Sequence, residues 1–148
     1  MKKIVIAIML FATVTGTAFA TDPKDLPDFK GAKHFVENFP GATDVGCKIT
    51  GQFTKVDFTW KELKLEVFYD TEGNLLATCR RISFNNLPLA LQINVNKEYP
   101  GFVPTEVSEF NDATDGLCYY VTVADSQKTY LLHASVNGTI SVFKKLKN

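Results

Sequence analysis

The balanced charge of this chain argues against highly charged partners. Its 148 residues contain 16 basic and 16 acidic side chains, so the formal net charge at pH 7 is zero. Nucleic acids and anionic membranes select strongly basic proteins, so we expect neither as a partner. A chain of this length can bury roughly two-thirds of its unfolded surface in a single domain, and it does not need disulfides for stability.

The first twenty residues have the pattern of a signal peptide. Lys2 and Lys3 form a positive start, residues 4–12 are apolar, and Ala18-Phe19-Ala20 places small residues at the −3 and −1 positions of a cleavage site. The apolar run is shorter than the ~20 residues that a membrane-spanning helix requires. We therefore predict export to the periplasm or the exterior, cleavage after Ala20, and a mature chain without a membrane span.

Three cysteines follow in the mature chain: Cys47, Cys79 and Cys118. An odd number leaves at least one thiol without a partner, and no spacing resembles a CxxC pair or a Cys–His zinc site. Small apolar core positions are the favoured interpretation. If one bridge forms, it could be Cys47–Cys79, Cys47–Cys118 or Cys79–Cys118. We predict no metal and no cofactor.

Two short phrases recur as a pair. Leu26-Pro27 precedes Phe39-Pro40-Gly41, and Leu87-Pro88 precedes Tyr99-Pro100-Gly101. Such a recurrence indicates a duplicated structural unit. We expect each unit to open with a helix that has its Leu-Pro proline near the start, where a missing N–H costs nothing, and that ends at Pro-Gly.

Apolar residues at helical spacing lie between the two phrases of each pair. They are Ala32, Phe35, Val36 and Phe39 in the first predicted helix, and Leu91, Val95 and Tyr99 in the second. These positions predict one apolar face on each helix.

Alternating residues after each predicted helix indicate strands. Val56–Trp60 and Leu63–Val67 flank a two-residue connection, which places Trp60 opposite Leu63. Glu72-Gly73-Asn74 is a turn signal that precedes a predicted strand over Leu75–Ile82, and Asn137-Gly138 is a strong hairpin signal.

These elements predict an α+β fold built from two tandem repeats, each with one helix packed on an antiparallel four-stranded meander. Residues 1–20 form the signal peptide, residues 21–84 the first repeat and residues 85–148 the second, in one compact unit. The eight strands could form one continuous sheet or two.

The strand faces that point away from the helices differ in character. In the first hairpin this outer set is Lys55, Asp57, Thr59, Lys64, Glu66 and Phe68, which we expect to be largely solvated. In the second repeat it comprises Cys118, Tyr120, Thr122, Thr129, Leu131, His133 and Ser135, with Phe143 from the last strand.

An apolar and aromatic patch on this outer face is the candidate functional site. Its members are Tyr120, Leu131, His133 and Phe143, and Phe68 extends it from the first repeat. Apolar patches of this kind mark interaction sites, so we predict that the patch binds a protein or peptide partner. The alternative is that these side chains pack under a loop, against a second copy or against the first sheet.

The arrangement of the two phrase pairs resembles a family of exported bacterial proteins. LP-x11-FPG and LP-x10-YPG, each followed by a meander behind a signal peptide, are similar to the β-lactamase-inhibitor-like, PepSY-like proteins. The resemblance implies a tandem helix-plus-sheet architecture like that of the β-lactamase inhibitory protein, which grips an enzyme with its sheet surface. It supplies no catalytic residues. The chain lacks the inhibitor's paired cysteines and inhibitory loop, so β-lactamase inhibition is not among our predictions.

The sequence favours binding over catalysis. It contains neither a GxSxG motif nor a Gly-rich phosphate loop. Cys118 and His133 are a conceivable nucleophile and base, but no third group is placed to orient them. Our first hypothesis is an exported, non-enzymatic binding module that holds or inhibits a protein partner in the cell envelope. The alternative is a periplasmic carrier of a small ligand or peptide. The partner and the oligomeric state stay open.

Overall fold

The computed structural model describes residues 26–146, which contain two α-helices and eight strands. In chain order they are α1 Ala32–Asn38, β1 Thr43–Ile49, β2 Phe53–Trp60, β3 Leu63–Asp70, β4 Leu75–Ile82, α2 Leu89–Glu98, β5 Val103–Asp112, β6 Gly116–Ala124, β7 Thr129–Ser135 and β8 Ile140–Leu146. A 3₁₀ turn, Phe84–Asn86, precedes α2. The predicted signal peptide lies outside the described residues. Neither described helix has the length and apolar character needed to cross a membrane.

All eight strands form one antiparallel sheet, in the order in which they occur along the chain. β4 pairs with β5 over six residue pairs, from Ala77 with Asp112 to Ile82 with Val107. The prediction of two tandem repeats, each a helix on its own four-stranded meander, is therefore wrong. β4 and β5 are each hydrogen-bonded to strands on both sides. The sheet therefore has no free edge at the predicted repeat boundary between residues 84 and 85. The fold is α+β with one continuous sheet.

Helix α1 packs over strands β1–β3 through aromatic contacts. Phe35 is fully buried, and its ring lies 4.9 Å from that of Phe58. Phe39, just after the helix, lies 4.7 Å from Phe58, and the indole N–H of Trp60 donates a 2.9 Å hydrogen bond to the Pro40 carbonyl. We call Phe35, Phe39, Pro40, Phe58 and Trp60 the α1 cluster. Their contacts hold the end of the helix against the β2–β3 hairpin.

The helix α1 is shorter than its sequence pattern predicts. It begins at Ala32, so Pro27 lies before the helix rather than in its first turn. Val36 is 47 % exposed and does not share the apolar face with Phe35. A helix of seven residues makes only two turns, which is too short to bury apolar residues at every predicted position.

Helix α2 packs over strands β5–β7. Leu91 and Val95 are buried against the sheet, as the spacing predicts. They form the α2 cluster together with Leu87, Val107, Tyr119, Val121, Val123, Leu132 and Ala134. Tyr99 ends the helix, and its backbone N–H donates to the Val95 carbonyl. Gly101, like Gly41 after α1, adopts a positive φ (84° and 77°), which explains why a glycine ends each Pro-Gly phrase.

Both helices lie on the same face of the sheet. Leu65 packs against the α1 cluster and Tyr119 belongs to the α2 cluster. Between them, Arg80 pairs with Leu65 on one side and with Glu109 on the other, and Glu109 pairs with Tyr119. Directly opposed residues of antiparallel strands point to the same side. We call this side the helix face, and the other, which carries no helix of residues 26–146, the helix-free face.

The predicted hairpins are confirmed in the described sheet. Trp60 lies opposite Leu63, and β4 spans Leu75–Ile82 as predicted. Both connecting residues, Lys61 and Glu62, have positive φ values of 49° and 66°, the geometry of a type I′ turn.

Because the sheet is continuous, we predict that a substitution in the core under α2 also lowers the stability of the opposite end of the molecule. Leu91 is fully buried, and Leu91→Ala should lower the free energy of unfolding by about 2–5 kcal/mol. Trp60, the single tryptophan, lies in β2 under α1 and reports on that distant end. We expect its fluorescence to detect the whole loss of stability in chemical denaturation.

The matched control is Ile93→Ala on the same helix. Ile93 is 55 % exposed, and its truncation should cost less than about 1 kcal/mol. A Trp60 transition that stays at its wild-type midpoint in Leu91→Ala would show that the two ends unfold independently.

Candidate interaction face

A row of aromatic side chains crosses the helix-free face from β2 to β8. The ring centroids of Phe53 and Phe68 are 5.9 Å apart, those of Phe68 and Phe110 are 6.2 Å apart, and those of Phe110 and Tyr120 are 5.9 Å apart. Phe143 ends the aromatic row, 5.3 Å from Tyr120. Aromatic pairs at these distances attract one another beyond the area that they bury.

Small side chains on β4 allow the aromatic row to pass the centre of the sheet. Phe68 of β3 lies opposite Ala77, and Phe110 of β5 lies opposite Cys79. Ala77 and Cys79 are buried at 1 % and 4 % exposure. Because neither reaches far from the sheet, the rings from the flanking strands meet above them. Sequence reasoning missed Phe53 and Phe110, although the small residues at alternate positions of β4 are a signal for such a crossing.

The structure brings the five predicted partner-binding residues together around the aromatic row. Phe68 and Leu131 are fully buried, and Tyr120 is 7 % exposed. His133 and Phe143 are partly buried, and their rings lie 5.4 and 5.3 Å from that of Tyr120. The prediction that Phe68 is solvated is wrong, because it packs between Phe53 and Phe110. The partly accessible members of the set are His133 and Phe143.

A charged network adjoins the aromatic row on β2 and β3. The Lys55 ammonium lies 2.6 Å from Asp57 and 3.0 Å from Glu66. Only 13 % of the Lys55 side chain is exposed, so the expectation that it is solvated is also wrong. Burial lowers the pKa of Lys55, but its bonds to the two carboxylates outweigh burial and raise it. Burial raises the pKa of Glu66 above its usual range, although Lys55 opposes the change.

Burial keeps the thiols of this protein protonated at neutral pH. Cys47, Cys79 and Cys118 are free thiols. Burial raises the pKa of Cys79 to about 12 and those of Cys47 and Cys118 to about 11. Cys118 lies opposite Ser135, whereas His133 lies opposite Tyr120, so the cysteine and the histidine are offset by two residue pairs along the strands. A protonated thiol is a poor nucleophile, so this arrangement is unsuited to the cysteine chemistry that the pair first suggests.

Metal-binding side chains do not converge in the described sheet and helices: residues 26–146 contain no group of three or more His, Cys, Asp or Glu placed to hold an ion. What this face offers chemically is a buried aromatic row with an accessible end at Phe143 and His133.

The fold is similar to those of solved bacterial proteins. A BLIP-like protein from Bacteroides fragilis superposes with a TM-score of 0.71 at 22 % identity, over 86 % of this chain and 94 % of that one. A DUF2874 family protein from Bacteroides ovatus gives 0.72 at 16 % identity, over 82 % and 88 %. A protein from Bacteroides eggerthii named as a candidate periplasmic protein gives 0.70 at 12 % identity, over 86 % and 88 %.

These similarities establish a BLIP-like fold. They support the inhibitor-like part of the family resemblance, but neither its PepSY-like part nor the tandem repeat. No protein-family model and no curated relative matches the sequence. At such low identities the likeness concerns the fold alone, and function has to be argued from the residues.

The raised pKa values predict slow thiol labelling. A pKa about two units above the ordinary value lowers the thiolate fraction at pH 7.5 roughly a hundredfold. Reaction with 5,5′-dithiobis(2-nitrobenzoate) should therefore be at least that much slower in the native protein than in guanidinium chloride. Since a raised pKa moves ionisation to alkaline pH, the native rate should keep rising beyond pH 9. Fast native labelling at neutral pH would contradict the burial of the thiols.

Proposed function

We propose that this protein is an exported, non-enzymatic binding protein that holds a protein partner on its helix-free face. The contact would centre on the accessible end of the aromatic row, at Phe143 and His133. The observation that carries the proposal is the seating of these two rings on the buried ring of Tyr120. A partly exposed aromatic group on a rigid base loses little conformational entropy when a partner covers it.

The surroundings of this end resemble the rim of a protein interface. Lys144 lies opposite Leu131 and Ser141 lies opposite His133, so polar side chains border the rings. Interfaces commonly combine an aromatic centre with a polar rim that excludes water. The thiols Cys79 and Cys118 lie on the same face, and their raised pKa values favour packing and binding over nucleophilic catalysis.

The N-terminal sequence supports a location for the partner in the cell envelope. The pattern of residues 1–20 supports export with cleavage after Ala20, and the candidate periplasmic name of the similar Bacteroides eggerthii protein agrees with an envelope location. The likeness to the BLIP-like protein from Bacteroides fragilis supports a partner that is itself a protein. The proposal therefore names a protein of the cell envelope as the partner class.

Removing the two accessible rings should release the partner. The immobilised mature chain would be exposed to periplasmic extract of its own host, and bound proteins would be quantified by mass spectrometry. His133→Ala/Phe143→Ala should reduce recovery of a specific partner at least tenfold, because truncating an interface centre costs about 2 kcal/mol or more.

Val142→Ala provides the matched control. Val142 is the neighbour of Phe143 on β8, is 45 % exposed, and lies opposite Leu132 of the α2 cluster, so it points to the helix face. Its variant should recover the partner as the wild type does. Equal recovery by the double variant would count against the helix-free face as the binding surface.

Export is tested by the mass of the secreted product. We expect a chain that begins at Thr21, because Ala18 and Ala20 fit the small −3 and −1 subsites of a signal peptidase. Ala18→Asp should block processing and leave the precursor mass, whereas Thr21→Ser should be processed normally. A wild-type product that retains Met1 would contradict the proposed cleavage.

A further inference from the structure

A polar strip separates the two helices on the helix face. Thr78 and Arg80 of β4 and Glu109 and Asn111 of β5 point to this side, between the α1 cluster and the α2 cluster. A cleft of about 340 Å³ opens over the strip. It is lined by Leu63, Arg80, Arg81, Ile82, Ser83, Asn86 and Glu109. The cleft lies on the opposite side of the sheet from the aromatic row.

Opposite charges stand side by side on the floor of this cleft. The Arg80 Nε donates a 2.6 Å hydrogen bond to Glu109 Oε1, and the two side chains are 45 % and 23 % exposed. A guanidinium has five N–H donors and a carboxylate has two oxygens, so this bond uses only part of each group. The Arg80 Nη groups and the second Glu109 oxygen can therefore each bind a further charge of opposite sign without breaking the pair.

The rest of the lining is apolar or small and neutral, apart from Arg81. The guanidinium of Arg81 lies 3.0 Å from the Glu106 carboxylate on the helix-free face, so Arg80 is the cation on the cleft floor. Leu63 is 49 % exposed, which is high for a large apolar side chain on a strand, and Ile82 lies beside it across the strand end. The Ser83 hydroxyl and the Asn86 amide provide neutral hydrogen-bonding groups at the cleft wall. A cleft of this size is at the lower end of the range for small-molecule sites, about 300–1,000 Å³.

We propose that this cleft binds a small zwitterion with an apolar side chain, either a free α-amino acid or a short peptide. Its carboxylate would contact the Arg80 guanidinium, its ammonium the Glu109 carboxylate, and its side chain Leu63. Charge complementarity carries the proposal: a positive and a negative group adjoin an exposed apolar residue, which matches the three parts of such a ligand. This site is independent of the partner-binding face.

The test is an NMR titration of the isotopically labelled mature protein with three leucine compounds that differ in their charges. L-Leucine carries both charges, leucyl-leucine carries both charges further apart, and N-acetyl-leucinamide carries neither. We expect saturable shifts at the amides of residues 80–86 with at least one of the charged probes and at least tenfold weaker binding of the neutral one. Leucine binding indicates an amino-acid ligand, and binding of the dipeptide alone indicates a peptide.

Two single variants test which protein group contacts each charge of the ligand. Arg80→Gln and Glu109→Gln should each weaken binding of the charged probe at least tenfold. The matched control is Lys30→Gln, because Lys30 forms a 2.6 Å ion pair with Glu72 away from the cleft and its loss should leave binding unchanged. Equal affinity for the neutral probe, or shifts that do not saturate with any probe in the wild-type protein, would overturn the proposal whether or not the variants fold.

Discussion

The backbone pairing of β4 with β5 is the constraint on which the rest of this molecule depends. It joins four strands on each side into one sheet, and it gives the sheet more width than two helices can cover. A helix with its side chains is about 10–12 Å across and strands are about 4.8 Å apart, so one helix covers about two to three strands. Helix α1 lies over β1–β3 and α2 over β5–β7, and the strip of the helix face between them is left to polar side chains. The polar side chains of this strip are Thr78, Arg80, Glu109 and Asn111. Arg80 and Glu109 form an ion pair across the two central strands.

On the helix-free face, the same pairing brings apolar side chains together instead of polar ones. There the central strands carry Ala77, Cys79 and Phe110, which form a single apolar cluster with Phe53 and Phe68 of the first half and Tyr120 and Leu131 of the second. The cluster crosses the position at which the sequence pattern suggests a boundary. Apolar burial on this side and hydrogen bonding through the backbone therefore act together to hold the two halves as one unit.

Local patterns were enough to predict the parts of the fold that depend on neighbours in sequence. Trp60 lies opposite Leu63 because a two-residue connection fixes the register, and Leu91 and Val95 are buried because they are one turn apart on a helix. The pairing of β4 with β5 depends on hydrogen bonds between strands that are separated along the chain by a whole helix. The alternation of residues within one strand does not indicate which other strand pairs with it. For the same reason the burial of Phe68 was not predictable: it requires Ala77 opposite and Phe110 beyond. The five candidate interface residues share a face, which alternation does predict, but their accessibility depends on these non-local neighbours.

The position of the aromatic row also bears on how a partner could approach. Phe143 lies on β8, an edge strand, and an exposed edge can bind another chain by adding a strand to the sheet. Lys144 and Lys145 follow it on β8, opposite Leu131 and Tyr130, so each face of the edge carries one lysine. Lysine on an edge strand opposes pairing with a further strand, because the incoming backbone would have to accommodate the charge. A partner that reaches Phe143 would therefore rest on the helix-free face, with its contact on the ring, and would leave the hydrogen-bonding groups of the edge to water.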